Sequence, residues 1–229
     1  YTYSIDGKPL SSPDGYTPYK VVTIGDMGLP ESVTAPSSPT DLEVDDQGYR
    51  YIADPVNNQI LILNRYNKYV TRITSFYNNS GIYDTIADAH GVFVTGSDAN
   101  GVRTIYVADG GNKRIVVFTF DGSKIEFVKL FEEPASEVFE ENSVYTPIAV
   151  AVDASERMYV VSSTTYEGII SLNPDGSFAA FIGATKTTVS AFKQLWKKFR
   201  GACDEFFASR DANATPENDF YGNLKAKKK

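Results

Sequence analysis

Few residues in this sequence belong to the types that usually carry catalysis or hold metals. His90 is the only histidine and Cys203 the only cysteine among the 229 residues. The chain therefore has neither an internal disulfide nor a multi-cysteine or multi-histidine metal site, and one imidazole remains for acid–base chemistry. His90 has no serine or aspartate partner in a motif typical of nucleophilic catalysis, and the G-x-S-x-G pattern is absent. We expect no enzymatic activity and no cofactor.

Two carboxylates repeat in step along the chain. Asp54 and Asp109 each follow a Tyr-x-Ala sequence and stand 55 residues apart. One interpretation has both facing a central channel and holding Ca²⁺. The other, which we favour, has each accepting hydrogen bonds from N–H groups of the turn that follows it. Arg114 is expected to pair with an acidic neighbour of the same turn. His90 precedes the predicted start of an inner strand, where it makes either a ligand contact or an ordinary hydrogen bond.

Tyrosine is the residue type that most favours a binding role, with 15 copies in the chain. Tyrosine rings stack on sugars and peptides at little entropic cost. The alternative is that they fill interfaces between sheets. The tyrosines that cluster at predicted strand ends and loops are Tyr49, Tyr51, Tyr66, Tyr69, Tyr77, Tyr83, Tyr145, Tyr159 and Tyr166. The candidate ligand-binding residues are His90, Asp54, Asp109, Arg114, Tyr51 and Tyr159.

A repeated unit must position these side chains. Its copies begin near residues 39, 89 and 147, and each has three short runs rich in Val, Ile, Tyr and Phe between Gly, Asn and Asp turns. Such runs are typical of antiparallel strands. A fourth strand fits after each copy, at 70–76, 124–131 and 177–182. Four strands repeated at this period predict an all-β fold of β-propeller blades, at about 39–88, 89–146 and 147–183.

Three blades do not make a ring, because closed propellers have four to eight. The sequence therefore predicts an incomplete propeller of three to four blades. Tyr1 to Ile5 and Pro18 to Ile24 are expected to supply strands of the further blade. An unclosed set of blades leaves strand edges and faces exposed, which invites association. A homodimer could close the ring.

Residues 184–229 differ from the rest of the chain. They carry ten Lys/Arg and five Asp/Glu, which leaves a net charge of −12 on residues 1–183. An acidic body repels phosphate, so we expect no nucleic-acid partner. No apolar run is long enough to cross a membrane. The residues whose helical spacing predicts an amphipathic C-terminal helix are Phe192, Leu195, Trp196, Phe199, Cys203, Phe206 and Phe207. Cys203 is interpreted as a small hydrophobic residue of that helix.

The string P-x-D-L-x-V-D-x-x-G-x-x-Y-I-A-D-x-x-N-N-x-I-x-I-L begins at Pro39 and resembles an NHL-type propeller repeat. Residues 39–183 fit that pattern, although Ser97 to Val102 lengthen a loop and Val161-Ser162 replace the Ala-Asp pair in the third copy. Residues 1–22 and 177–199 resemble bacterial NHL proteins associated with Yip-type membrane domains. Residues 195–212 resemble a helical segment of a small bacterial domain of unknown function. The NHL chains continue into more blades beyond Phe199, so this junction is interpreted as a truncation, a fusion or an assembly artefact.

The resemblance implies an exported propeller held at the surface of a Gram-positive cell, with a tether to a membrane domain in the parent protein. It implies a binding role without assigned catalysis. The leading hypothesis is a non-enzymatic binding module that recognises a carbohydrate or protein partner. Two alternatives stay open, which are a metal-dependent lactonase or lyase of the propeller type and an RNA-binding NHL propeller.

Overall fold

Antiparallel strands dominate the structure, a computed structural model that describes residues 2–10, 20–134, 144–163 and 168–183. The predicted C-terminal helix lies outside the described residues. Near the N-terminus, β1 (Thr2–Tyr3) pairs antiparallel with β2 (Pro9–Leu10). No helix in the described part of the chain is long and apolar enough to cross a bilayer.

A short helix, α1 (Ile24–Met27), follows the first hairpin. Its N-cap is Thr23, whose hydroxyl oxygen accepts from the Asp26 N–H at 3.3 Å, while the Asp26 carboxylate accepts from the Thr23 N–H at 2.8 Å. This reciprocal pairing is a capping box, which favours a helix start. The prediction of a strand from Pro18 to Ile24 is therefore wrong in its described part, since residues 20–23 form no strand and Ile24 begins the helix.

Three four-stranded antiparallel sheets follow, each with its strands in chain order. Blade 1 consists of β3 (Asp41–Val44), β4 (Arg50–Asp54), β5 (Gln59–Leu63) and β6 (Tyr69–Ile73). A separate two-stranded hairpin then contains β7 (Ser75–Tyr77) and β8 (Tyr83–Thr85). Blade 2 consists of β9 (Ala89–Val94), β10 (Arg103–Asp109), β11 (Arg114–Phe120) and β12 (Ile125–Phe131). Blade 3 consists of β13 (Pro147–Val152), β14 (Met158–Ser162), β15 (Ile169–Leu172) and β16 (Phe178–Ile182).

The predicted all-β architecture of an incomplete propeller is confirmed. The described residues contain three such blades and no fourth. The hairpin between the first two strands of each blade is built in one way, around Asp45, Asp98 and Asp153. Each carboxylate accepts from the N–H groups two and four residues later, at 2.8–3.0 Å. Such Asx turns favour tight reversals, which explains why the sequence repeats an aspartate there.

The blades pack face to face. We call the side of a blade towards the next blade in the chain its trailing face, and the opposite side its leading face. The trailing face of blade 1, with Ala53 and Ile60, packs on the leading face of blade 2, with Val92 and Val107. The trailing face of blade 2 packs on the leading face of blade 3 in the same way.

The leading face of blade 1 has no blade in front of it among the described residues. The segment around α1 covers its outer strands instead, where Met27 and Val33 pack on Leu61 and Leu63. The Lys68 ammonium also donates to the Asp26 carbonyl at 2.6 Å. The segment around α1 thus contributes to the core of blade 1 as helix and coil, whereas the predicted strand from Tyr1 to Ile5 is in part β1, which pairs with β2 and not with a blade.

Candidate functional site

Asp54 ends β4 and its side chain is buried. Its carboxylate accepts from the Asn57 amide at 2.7 Å and from the Gln59 amide at 3.0 Å. The same two amides donate to the Ala35 carbonyl at 3.2 Å and to the Thr34 carbonyl at 3.0 Å. Asp54 therefore organises the turn after β4 and, through it, the segment that leads into blade 1.

Asp109 has the equivalent place at the end of β10 and is also buried. It accepts from the Ala87 N–H at 2.7 Å, from the Asn112 amide at 3.0 Å and from Arg114 Nε at 2.7 Å. Asn112 and Arg114 also donate to the Thr85 carbonyl, at 2.9 and 3.0 Å. The hydrogen bonds that surround both carboxylates are those of a structural turn.

Arg114 forms a second ion pair that the sequence did not indicate. Its guanidinium donates to both oxygens of Asp84, at 2.6 and 3.1 Å. The hydrogen bond from Arg114 lowers the pKa of Asp84. Burial acts to lower the pKa of Arg114, but its hydrogen bonds to Asp84 and Asp109 raise it overall. Asp84 lies 30 residues before Arg114, on β8, and no spacing motif connects the two.

Tyr51 lies in the core between blades 1 and 2 and is fully buried. Its hydroxyl donates to Asp45 Oδ2 at 3.0 Å, and Arg103 Nε of blade 2 lies 2.6 Å from the same oxygen. Burial and then the nearby Asp45 charge raise the pKa of Tyr51. Arg103 is buried as well and was not among the predicted site residues. These contacts leave Tyr51 without surface for a ligand.

His90 and Tyr159 are both partly exposed. His90 Nε2 lies 3.1 Å from Asp88 Oδ1, and the Thr40 hydroxyl donates to the His90 carbonyl at 2.7 Å. The Tyr159 hydroxyl donates to Asp153 Oδ2 at 2.9 Å. His90 lies near the end of the blades that carries Asp54 and Asp109, whereas Tyr159 lies beside the Asp153 hairpin at the opposite end. The structure does not bring the six candidate residues into one site.

The hairpin formed by β7 and β8 presents a different candidate surface. Tyr77 and Tyr83 are directly opposite in its register and both are exposed, with ring centroids 5.4 Å apart. Ile82 beside them is exposed too. Both tyrosines belong to the predicted aromatic group but not to the candidate binding residues, because the sequence does not distinguish exposed from buried rings.

An open groove of about 760 Å³ adjoins this hairpin, between the outer strands of blades 1 and 2. Phe76 and Phe127 stack in its wall with centroids 4.9 Å apart. Arg72, Lys124 and Glu126 also line it, and the last two form an exposed ion pair. Apolar rings and charged groups thus line the same groove, which Tyr77 also borders. The described residues contain no cluster of three or more side chains suited to hold a metal.

No protein-family profile matches this chain, and no curated protein matches it. Among solved structures, a catalytically inactive virginiamycin B lyase from Staphylococcus aureus with quinupristin is 15% identical, over 69% of this chain and 44% of its own, with a TM-score of 0.39. A streptogramin B lyase is 14% identical over 71% and 43%, with a TM-score of 0.36. An exo-beta-1,3-galactanase from Clostridium thermocellum is 13% identical over 69% and 40%, with a TM-score of 0.38. The chain spans less than half the length of these three β-propeller-like proteins, and the likeness concerns the fold alone.

Proposed function

We propose that this chain is a non-enzymatic binding module that recognises a carbohydrate or protein partner at the surface of a bacterial cell. The observation that carries the proposal is the exposed pair Tyr77 and Tyr83 on the β7–β8 hairpin. Paired strands hold the two rings, so little conformational freedom of the hairpin backbone is lost when a ligand binds. Exposed tyrosines supply contact area and a hydroxyl at low entropic cost, which suits a recognition surface.

The groove next to this pair supports an extended polar ligand, with a carbohydrate as the first candidate. Arg72, Lys124 and Glu126 supply charged donors and acceptors for hydroxyl groups, and the Phe76 ring supplies apolar contact. Sites that combine apolar lining with a few polar groups bind ligands in a defined orientation. A peptide segment of a partner protein could make the same polar and apolar contacts. Binding to a peptide is therefore the other outcome of the experiment below.

Placement at the cell surface is supported by the resemblance of residues 1–22 and 177–199 to bacterial NHL proteins associated with membrane domains. A tether to a membrane domain belongs to the parent protein in this proposal, and the described residues are the part that binds.

The experiment is to probe glycan and peptide arrays with the full chain and with Tyr77→Ala and Tyr83→Ala variants. We expect binding to a glycan class that each substitution weakens by roughly tenfold, since a stacked ring contributes on the order of 1 kcal/mol or more. Tyr66→Ala is the matched control, because Tyr66 is equally exposed but lies on a different hairpin. Binding that survives both substitutions, or no binding on either array, contradicts the proposal.

A propeller enzyme of the lactonase or lyase type is the second candidate. His90 favours it, because a partly exposed imidazole 3.1 Å from the Asp88 carboxylate is a pair that can accept and return a proton. Asp54 and Asp109 do not support the metal-dependent form, since side-chain amides donate to Asp54 and backbone, amide and guanidinium groups donate to Asp109. Turnover of lactone substrates that disappears in a His90→Ala variant would favour this candidate over a binding module.

A further inference from the structure

The junction between blades 1 and 2 contains a buried polar contact. Asp45 and Tyr51 of blade 1, which we call the acceptor pair, share one hydrogen bond of 3.0 Å. Arg103 of blade 2 places its Nε 2.6 Å from the same Asp45 oxygen. All three side chains are buried. A buried carboxylate beside a hydroxyl thus marks where the following blade inserts an arginine.

Blade 3 repeats the acceptor pair on its trailing face. Asp153 has the position of Asp45 in the hairpin, and Tyr159 has the position of Tyr51 in the second strand. The Tyr159 hydroxyl donates to Asp153 Oδ2 at 2.9 Å, as Tyr51 does to Asp45. Here Asp153 is exposed, and it forms no ion pair within the described part of the chain. The oxygen that would receive an arginine is therefore open.

The apolar surface around this second acceptor pair is open as well. Val161 and Ile169 are 38% and 39% exposed. Their equivalents on the trailing face of blade 1, Ala53 and Ile60, are fully buried against blade 2. Blade 3 thus presents the inner part of one half of an interblade interface, which consists of this apolar patch and the acceptor pair.

Blade 1 presents the other half on the inner part of its leading face. Leu42 and Val44 of β3 are 56% and 48% exposed, whereas their equivalents on blade 2, Val92 and Val94, are buried against blade 1. The segment around α1 packs mainly on β5 and β6, so these two inner side chains remain open.

Arg50 completes this second half. It stands two residues after Gly48, just as Arg103 stands two residues after Gly101, and both glycines have positive φ. Nη1 of each arginine donates to the carbonyl of that glycine, at 3.0 and 2.9 Å. Arg50 also pairs in register with Val44, which places it on the leading face of blade 1. In strand register Arg50 corresponds to Ile105, because the two pair with the equivalent Val44 and Val94, so its Cα lies two residues farther from the hairpin end than that of Arg103. The guanidinium of Arg50 nevertheless lies at the hairpin, where a facing acceptor pair would meet it.

We propose that two copies of this chain associate head to tail, with the trailing face of blade 3 packed on the leading face of blade 1 and Arg50 of the second copy bound at Asp153 and Tyr159. The two halves of the interface are different surfaces of one chain, so the contact is heterologous. A two-fold axis forms it twice and closes a ring of six blades, which lies within the four to eight of closed propellers. The second copy is the occupant because this chain itself carries both the acceptor pair and the arginine.

The test is the mass of the full chain in solution, measured by sedimentation or light scattering over a range of concentrations. We expect twice the mass of the 229-residue chain. Val161→Asp and Leu42→Lys, both at exposed positions, each place a charge in the interface and are expected to give the monomer mass. Circular dichroism verifies that each variant is folded. Ile82→Asp is the matched control, because Ile82 is exposed on the β7–β8 hairpin outside both faces, and its mass should be that of the dimer.

Mixing the two monomeric variants is the decisive step. In a mixed pair, one junction joins Asp at position 161 to Lys at position 42, and the other junction is unaltered. We expect the mixture to recover the dimer mass, whereas each variant alone remains a monomer. Asp153→Asn keeps the turn acceptor and removes only the charge, so it should weaken dimerisation by roughly tenfold or more. A wild-type monomer at all concentrations, a different oligomer mass, or a dimer indifferent to Val161→Asp and Leu42→Lys overturns the proposal.

Discussion

Arg103 of blade 2 lies 2.6 Å from Asp45 of blade 1, and both side chains are buried. The guanidinium also stacks over the Tyr49 ring, with its central carbon 4.7 Å from the ring centroid. Its Nη2 has no hydrogen-bond partner among the described residues. This contact joins a hairpin of blade 1 to a strand of blade 2. Asp45 therefore stabilises both its own turn and the packing between the two blades.

Removal of the Asp45 charge should strongly destabilise the fold. In Asp45→Asn the amide oxygen still caps the turn, but Arg103 is left buried without its counter-charge. We expect a loss of about 3 kcal/mol or more in the free energy of unfolding, measured with urea. Asp98→Asn is the matched control, because Asp98 caps the equivalent hairpin of blade 2 but is exposed, and its unfolding midpoint should change far less. Equal midpoints for the two variants would contradict a role for the buried charge.

The Asp84–Arg114 pair should make stability depend on pH in the acid range. The hydrogen bond from Arg114 lowers the pKa of Asp84 in the folded state, so the unfolded chain binds this proton more readily. The stabilisation that the ion pair gives the folded state is therefore complete above the ordinary carboxyl pKa of about 3.9. It is lost as the pH falls through the lowered pKa of Asp84. Thermal melts between about pH 5 and 2 should show a shallower decline in Asp84→Asn than in the wild type. The exposed Asp6→Asn should retain the wild-type slope.

Gly91 should tolerate no side chain. A Cβ at this position would lie 2.6 Å from the Ile148 carbonyl oxygen and 2.9 Å from the Ala149 Cα, so the backbones of β9 and β13 would have to separate. We expect Gly91→Ala to cost about 2 kcal/mol or more in unfolding free energy. Gly96→Ala is the control, because the nearest atom to its added Cβ is 3.9 Å away and its φ is not positive. Similar melting temperatures for the two variants would show that the inner strands can separate without cost.

The sequence predicted the blades because local chemistry determines them. Aspartate and glycine turns at fixed places, with β-branched runs between them, specify hairpins wherever they occur. The insertion after blade 1 was missed for a related reason. Residues 70–76 predict one strand, whereas β6 ends at Ile73 and Ser75 begins a separate hairpin. No Gly, Pro, Asn or Asp interrupts residues 70–76, so the residue pattern gives no sign that the chain changes sheets at Thr74.

Contacts between blades were not predictable in the same way. Asp45 and Arg103 are 58 residues apart, and Arg103 lies just beyond the apolar run that identifies its strand. The sequence shows Tyr51 and Tyr159 as equivalent residues of two repeats. Only the packing shows that the first is covered by a following blade while the second is partly open. Whether a residue at a repeat interface is buried depends on which blade packs against it. The residue pattern of a single repeat does not contain that information.

Asp54 offers the clearest separation between a structural carboxylate and a calcium ligand. In blade 3 the equivalent residue is Ser162, whose hydroxyl accepts from the Thr146 N–H at 2.9 Å and so retains the link to the preceding segment. Asp54→Ala leaves the Asn57 and Gln59 amides without their acceptor and should cost about 2–4 kcal/mol in unfolding free energy. Asp54→Ser should recover part of this loss, because a hydroxyl can replace one of the contacts.

A Ca²⁺ titration tests the same question about Asp54 directly. If Asp54 serves the turn, as its hydrogen bonds indicate, Ca²⁺ should neither release heat on titration nor raise the melting temperature of the wild-type chain. A carboxylate that held the ion would instead give a melting temperature that rises with Ca²⁺ and falls with a chelator, by linkage of binding to folding. Asp54→Asn would then abolish the rise. Such a result would identify Asp54 and Asp109 as metal ligands and not as structural turn residues. It would favour the propeller enzyme over the binding module.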